Sequence, residues 1–459
     1  MDAIQNARKQ IDDVYDQAGE TFEGFFAPVR VYVKSAFFFL LVIIDAVSYT
    51  KWYERVKTVI IFSISFLFFT SIAILIGKSP PQHPDVGLTL FQFCEKYNYS
   101  LEAVDLTTED GYVITVHRIR WPRYKKSCPD QRPVVLMMHG ITGSSADFIV
   151  QGVGKSLAFQ LADQGFDVWI GNQRGNFYSR RHIMLDADFD QSFWDFSYHE
   201  IGLYDLPAMI DHVIKTTNQT KLTYVGLSQG CTAYLVMTSL KPQYNNKILV
   251  ANLMAPAISL YNNRNILFKL WQYTNFIVEP LFNFFEIHEI LRRDHITSQL
   301  LAYLCVGPHK IANWICTKQV GKILSGMNGD EIDYDIFPNT FYNYPSGTSV
   351  KQLLHFLQSK ISGNFSHYNY YDQNPIIYNS LTPPLYDISK STAPVAVYFS
   401  RGDDFLNVET LYNELKKMPN VVLKYKVPND NFNHADFILN RDINKLLYNK
   451  VIGIIKKYN

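Results

Sequence analysis

The chain has 459 residues, is 47% hydrophobic and carries a formal net charge of +1, enough apolar material for one large domain with an appendage. The near-neutral balance argues against a nucleic acid or another highly charged partner. Five cysteines, at positions 94, 128, 231, 305 and 316, contain no CxxC pair, which excludes a disulfide-dense scaffold and a zinc pattern. Aromatic residues make up 15%, which composition alone assigns to a large core and an apolar segment.

In chain order, Ile4, Ile11 and Val14 fall at helical spacing among charges and predict a surface helix within an N-terminal region, 1–57. Ala36–Ile44 is a short apolar run that suits an interfacial helix or half of a hairpin. Thr58–Gly77 is uncharged and mostly apolar, and about 20 such residues at roughly 1.5 Å each cross a bilayer. Residues 58–77 therefore predict a single retained transmembrane helix. Lys51, Arg55 and Lys57 precede it, which puts the following domain on the lumenal side. A second span at Ala36–Ile44 would reverse this to the cytoplasmic side. Sequons at Asn98, Asn218 and Asn364 agree with a lumenal domain, but an Asn-rich chain yields such matches by chance. The proline-rich stretch 78–87 reads as a stiff linker.

From Leu88 the pattern changes to short apolar strands alternating with helices. Pro133–Met138, Phe166–Ile170, Leu222–Val225, Val395–Phe399 and Val421–Val427 read as strands; Gly154–Gln164 and Asp205–Thr216 read as helices. This alternation implies an α/β fold with a mostly parallel central sheet covered on both faces. The core is expected in two parts, 88–258 and 387–459. Between them, at 259–386, the strand signal fades and aromatic-rich helical segments suggest an inserted helical cap.

Gly226-Leu227-Ser228-Gln229-Gly230 follows the strand Leu222–Val225 and precedes a helical run. That is the setting of a nucleophile elbow, where a tight turn lifts a serine hydroxyl from the carboxyl end of a sheet. A bare GxSxG is weak; its placement between strand and helix strengthens it. A serine nucleophile needs a base, and the base needs an orienting carboxylate, in the chain order Ser, Asp, His on this fold. Asp403 and Asp404 follow the strand Val395–Phe399, and His434 closes the loop after Val421–Val427. Asp436 reads as a cap for the final helix. His139-Gly140-Ile141 follows the strand Pro133–Met138, so the backbone N–H groups of Ile141 and Gln229 are the candidate oxyanion donors.

Further stretches carry a family likeness: Glu109-Asp110-Gly111-Tyr112, Gly171-Asn172-Gln173-Arg174-Gly175, Phe193-Trp194-Asp195-Phe196-Ser197-Tyr198, Tyr204-Asp205-Leu206-Pro207-Ala208, Pro345-Ser346-Gly347-Thr348-Ser349-Val350 and Asn433-His434-Ala435-Asp436-Phe437. With the Ser228 motif, they make residues 88–457 resemble the acid lipases, which include gastric lipase, lysosomal acid lipase and steryl ester hydrolases. The resemblance implies an α/β-hydrolase fold with a helical cap, hydrolysis of neutral-lipid esters, and neither metal nor organic cofactor. It lays the family's Gly-His-Asp element on Gly402-Asp403-Asp404, which selects Asp404 as the acid beside Ser228 and His434. Cys305 and Cys316 fall roughly where some members carry a disulfide. The N-terminal anchor is closer to the membrane-bound steryl ester hydrolases, so the expected partners are a lipid ester and a membrane. A rival reading is a non-catalytic subunit of a membrane complex that keeps this fold.

Overall fold

Four central strands are apolar on both faces, and this dictates their place. In the computed structural model, which describes residues 84–121, 123–124, 131–293, 321, 326 and 331–459, β3 (Val134–Met138), β4 (Asp167–Gly171), β6 (Leu222–Leu227) and β10 (Val395–Phe399) are buried at every position. Such strands belong in the middle of a parallel sheet with helices on both sides. β11 (Val421–Lys426) alternates between half-buried and exposed positions and forms one edge.

The sheet runs β1-β2-β4-β3-β6-β7-β10-β11, with β1 (Ser100–Thr107), β2 (Tyr112–Trp121) and β7 (Ile248–Met254) completing the path and β5 (Arg181–His182) pairing with β2. Along this path, β4, β3, β6, β7, β10 and β11 pair in parallel. β2 is antiparallel to β1, β4 and β5, so the amino-terminal side departs from the parallel pattern. β1, β2 and β7 add to the strands read from the sequence. A separate antiparallel pair, β8 (Glu289–Ile290) with β9 (Thr348–Ser349), lies in the segment inserted between β7 and β10.

Alternate side chains of each strand feed two cores. Val134, Leu136 and Met138 join one cluster, with Met209, Ile210 and Val213 of α3 (Leu206–Thr217) and the buried face of α4 (Gln229–Leu240). Val135 and Met137 join the other, with Leu157, Phe159 and Leu161 of α2 (Leu157–Asp163) and Val451 and Ile455 of α8 (Asn449–Tyr458). The short α1 (Leu90–Lys96) packs Phe93 into this second core. The remaining helices used below are α5 (Ile266–Phe284) and α6 (Val350–Ser362) in the inserted segment and α7 (Val408–Leu415) between β10 and β11.

Parallel registry determines where the functional loops meet. Met138 lies opposite Gly226, Leu227 opposite Met254, and Met254 opposite Tyr398. The carboxyl ends of β3, β6 and β10 are therefore level, and the loops at His139, Ser228 and Asp403 leave the sheet side by side. The expected helices at 1–57 and 58–77, the run Ala36–Ile44 and the Cys305/Cys316 pair lie outside the described residues. Among the described residues no helix is long and apolar enough to cross a membrane.

Candidate active site

Ser228 stands between the end of β6 and the first residue of α4, with φ 52° and ψ −113°. A non-glycine residue in this region is strained and needs its surroundings to hold it. They do so through the backbone. The Ser228 N–H donates to the Met254 carbonyl at 2.9 Å, and the Ser228 carbonyl accepts from Cys231 N–H at 2.9 Å. The Tyr224 hydroxyl donates to the Gly230 carbonyl at 2.7 Å. The flanking residues must be glycine: a Cβ on Gly226 would lie 2.9 Å from the Cys231 nitrogen, and one on Gly230 would lie 2.3 Å from the Met138 carbonyl oxygen.

The Ser228 Oγ lies 2.9 Å from His434 Nε2, and His434 Nδ1 lies 2.8 Å from Asp403 Oδ2. The Asp403 side chain is fully buried, and that of His434 is 18% exposed. Asp403 Oδ1 accepts the Phe405 N–H at 2.9 Å, which fixes the carboxylate plane. The Phe405 ring covers the imidazole, with ring centres 4.9 Å apart.

The carboxylate facing His434 thus belongs to Asp403 and not to Asp404, a correction to the sequence expectation. The turn after β10 sends adjacent side chains in different directions. Asp403 points inward to the imidazole. Asp404 accepts from Asn433 Nδ2 at 3.1 Å through Oδ2 and holds Oδ1 3.6 Å from the Arg264 guanidinium. Spacing within Gly402-Asp403-Asp404 carries no information on which side chain turns inward. Asp436 is also placed differently from expectation. It opens the short helix Asp436–Leu439, and its Oδ2 accepts the Asn433 N–H at 2.6 Å, within the His434 loop. Burial pushes its carboxyl up to about 8.

Gly140 brings the loop after β3 against the serine, since a Cβ there would lie 3.2 Å from Ser228 Cβ and 3.6 Å from its Oγ. Ile141 follows Gly140, and Gln229 follows Ser228 as the first residue of α4, where a backbone N–H has no intrahelical acceptor. Among the described residues, neither the Ile141 nor the Gln229 backbone N–H donates to a carbonyl.

The sequence marked His139, Gln173 and Gln229, but not the bonds by which they and others support this loop. His139 is fully buried, and burial pushes its imidazole down to about 4, so it is neutral. Its Nδ1–H donates to the Gly140 carbonyl at 2.7 Å, while Nε2 accepts from Gln173 N–H at 3.3 Å and Asn176 Nδ2 at 3.1 Å. Gln229 Nε2 donates to Gln173 Oε1 at 2.6 Å. From the inserted segment, Ser346 N–H donates to the Thr142 carbonyl at 2.7 Å, and the Tyr344 hydroxyl accepts from Thr142 Oγ1 at 2.7 Å. The signal for these lay in the motif stretches, which mark positions and not partners.

Three of the motif stretches meet at Arg174. Arg174 is almost fully buried and makes paired hydrogen bonds to Asp205, at 2.8 and 2.6 Å, and to Asp110, at 2.6 and 2.9 Å. Its guanidinium lies 4.0 Å from the centre of the Tyr112 ring. Three stretches far apart in the chain therefore form one charge cluster. Among the described residues, no group of three or more His, Cys, Asp or Glu is placed to hold a metal ion.

The sheet order and this hydroxyl–imidazole–carboxylate relay at its carboxyl edge define the class, an α/β-hydrolase. The family profile described as alpha/beta hydrolase fold matches residues 133–440, and one described as partial alpha/beta-hydrolase lipase region matches 90–152. Lipase 1 of Drosophila melanogaster is 39% identical over 376 residues, 81% of this chain and 81% of its own. Human gastric triacylglycerol lipase is 32% identical over 385 residues, 83% of this chain and 94% of its own. A solved monoglyceride lipase of Saccharomyces cerevisiae aligns with TM-score 0.46 and 16% identity over 78% of this chain and 96% of its own. The chain belongs to the acid lipase family of α/β-hydrolases, and it is an ester-hydrolysing enzyme.

Proposed function

We propose that this enzyme is a membrane-anchored serine lipase that cleaves carboxylic esters of neutral lipids, triacylglycerols or steryl esters, through Ser228, His434 and Asp403. The observation that carries the reading is the unbroken chain from Ser228 Oγ through His434 to Asp403, at 2.9 and 2.8 Å, on a strained elbow. Ser228 Oγ attacks the ester carbonyl carbon while His434 Nε2 takes its proton. The carbonyl oxygen becomes an oxyanion held by the Ile141 and Gln229 backbone N–H groups. The C–O bond then breaks, and His434 returns the proton to the departing alcohol. Water, deprotonated by His434, hydrolyses the acyl-Ser228 ester and releases the fatty acid. Asp403 holds the imidazole with its proton on Nδ1 and stabilises the imidazolium that forms.

The neutral-lipid assignment rests on likeness to a gastric triacylglycerol lipase and on apolar side chains along α5. Ile266, Leu270 and Tyr273 are 53%, 58% and 76% exposed. The anchor assignment rests on the composition of Thr58–Gly77 and its flanking lysines and arginine, which also favour a lumenal domain. The non-catalytic reading is set aside, because the relatives are named lipases and Ser228, His434 and Asp403 are hydrogen-bonded in series.

The test is labelling with a fluorophosphonate, followed by hydrolysis of triolein and cholesteryl oleate. Wild type should label and turn over at least one ester, and Ser228→Ala should do neither while melting at the same temperature. A Ser228→Ala protein that hydrolyses at the wild-type rate would refute the mechanism. Protease protection in sealed vesicles tests the lumenal placement.

A further inference from the structure

The carboxylate displaced from the relay has its own set of bonds. Asp404 N–H donates to Asn433 Oδ1 at 3.1 Å, and Asn433 Nδ2 returns a bond to Asp404 Oδ2 at 3.1 Å. The same Asn433 Oδ1 also accepts the His434 N–H at 2.7 Å. One amide side chain therefore joins the loop that carries the acid to the loop that carries the base. The Asp404 carbonyl in turn accepts the Arg264 and Asn265 N–H groups, both at 2.8 Å, just before α5. The other side of Asn433 is tied as well, since its backbone N–H donates to Asp436 and its carbonyl accepts the Asp436 N–H at 3.1 Å.

These bonds add to two other contacts between the loops, the Ser400 hydroxyl on the Asn429 carbonyl at 3.3 Å and the Phe405 ring beside the imidazole. Asp403 and His434 lie on loops after two different strands and touch each other through one hydrogen bond. The imidazole must serve Ser228 and Asp403 together, so a shift of one loop along the other breaks one of its two bonds. A partly buried, reciprocal amide–carboxylate pair resists that shift because both members have fixed second partners. Neither Asp404 nor Asn433 bonds to the serine, the imidazole or the candidate oxyanion donors through its side chain.

We propose that Asp404 and Asn433 are positioning residues, a brace that keeps His434 in register with Asp403 during ester cleavage. The proposal rests on the Ser228–His434–Asp403 reading and assigns it two residues that do not touch substrate.

The test uses the full-length enzyme, a short-chain p-nitrophenyl ester and a fluorophosphonate, with melting temperature recorded for each variant. Asp404→Ala removes the acceptor and Asp404→Asn keeps one. A misplacement of about 1 Å costs on the order of 100-fold, so kcat should fall by about 10- to 100-fold in Asp404→Ala, with KM within about twofold. Fluorophosphonate labelling should slow in parallel, and Asp404→Asn should recover to within about threefold of wild type. Asn433→Ala should match Asp404→Ala in the same split. Should Asn433→Ala fail to fold, the Asp404 pair decides, because that side chain is 24% exposed and tolerates replacement. Wild-type kcat in Asp404→Ala would overturn the brace, as would equal losses in the Asn and Ala variants. A wild-type enzyme that neither labels nor turns over would overturn the underlying relay instead, so the two failures are distinguishable.

Discussion

Replacing Asp403 by Asn tests the relay at its most specific point. The two carboxylate oxygens have different duties: Oδ1 accepts the Phe405 N–H, and Oδ2 faces His434 Nδ1. In Asp403→Asn the amide oxygen stays against the Phe405 donor, because an NH2 there would face another N–H. The NH2 must then point at His434 Nδ1 and donate to it, which moves the imidazole proton to Nε2. That nitrogen can no longer accept the Ser228 proton. Replacement of the orienting acid in a serine relay costs about 10⁴-fold in kcat, or about 5 kcal/mol of transition-state stabilisation. The substitution keeps the side chain's size and its acceptor for the Phe405 N–H, so the fold should be retained. The assay is kcat and KM on a soluble p-nitrophenyl ester, with Asp404→Asn measured beside it. A loss of about 10⁴-fold in Asp403→Asn and of less than about threefold in Asp404→Asn is expected. The reverse order, or more than a tenth of wild-type activity in Asp403→Asn, would refute the assignment.

Other consequences follow from the buried groups. Arg174→Met leaves Asp205 buried without its partner and should cost about 3–5 kcal/mol in urea unfolding, much of which Arg174→Met/Asp205→Leu should restore; a cost under about 1 kcal/mol would contradict the cluster. Gly230→Ala forces a Cβ to 2.3 Å from the Met138 carbonyl, so the variant should lose fluorophosphonate labelling even where circular dichroism shows a folded chain. Burial pushes His117 from 6.5 down to about 4, so below pH 6.5 the unfolded chain binds the extra proton; this contribution is full above pH 6.5 and lost as pH falls toward 4. Burial pushes Asp147 from 3.8 up to about 7, so its contribution is full below pH 3.8 and lost as pH rises toward 7. The two trends oppose each other. Asp147→Asn should give a urea midpoint that climbs more steeply from pH 4 to 6.5 than wild type, and His117→Asn one that climbs less or falls; unchanged slopes would rule this out.

Much of the architecture was legible in the residue pattern. Strands such as Val395–Phe399 are short, fully apolar runs, and they are fully apolar because a central parallel strand is buried on both faces. The serine turn was legible for a related reason. The backbone passes so close at Gly226 and Gly230 that no other residue fits, and a local steric demand leaves a local signature. His434 was found through its place after the last strand, since chain order follows from the way the sheet is wound. β7 was missed although Ile248–Met254 is almost wholly buried, because a short apolar run reads equally as helix.

What the sequence determined by itself was the fold class, and it placed the candidate nucleophile Ser228, the candidate base His434 and the loop of the candidate acid. Each depends on one segment's own geometry and apolar pattern. Tertiary structure alone decided which of two adjacent aspartates faces the imidazole, and that Asp404 turns instead to Asn433 and Arg264. It also joined Asp110, Arg174 and Asp205 into one cluster. Neighbouring residues on a turn differ only in the direction their side chains take, and the partners that choose that direction lie many residues away. Ser228 could be read from five consecutive letters; Asp403 required the packing of two loops against each other.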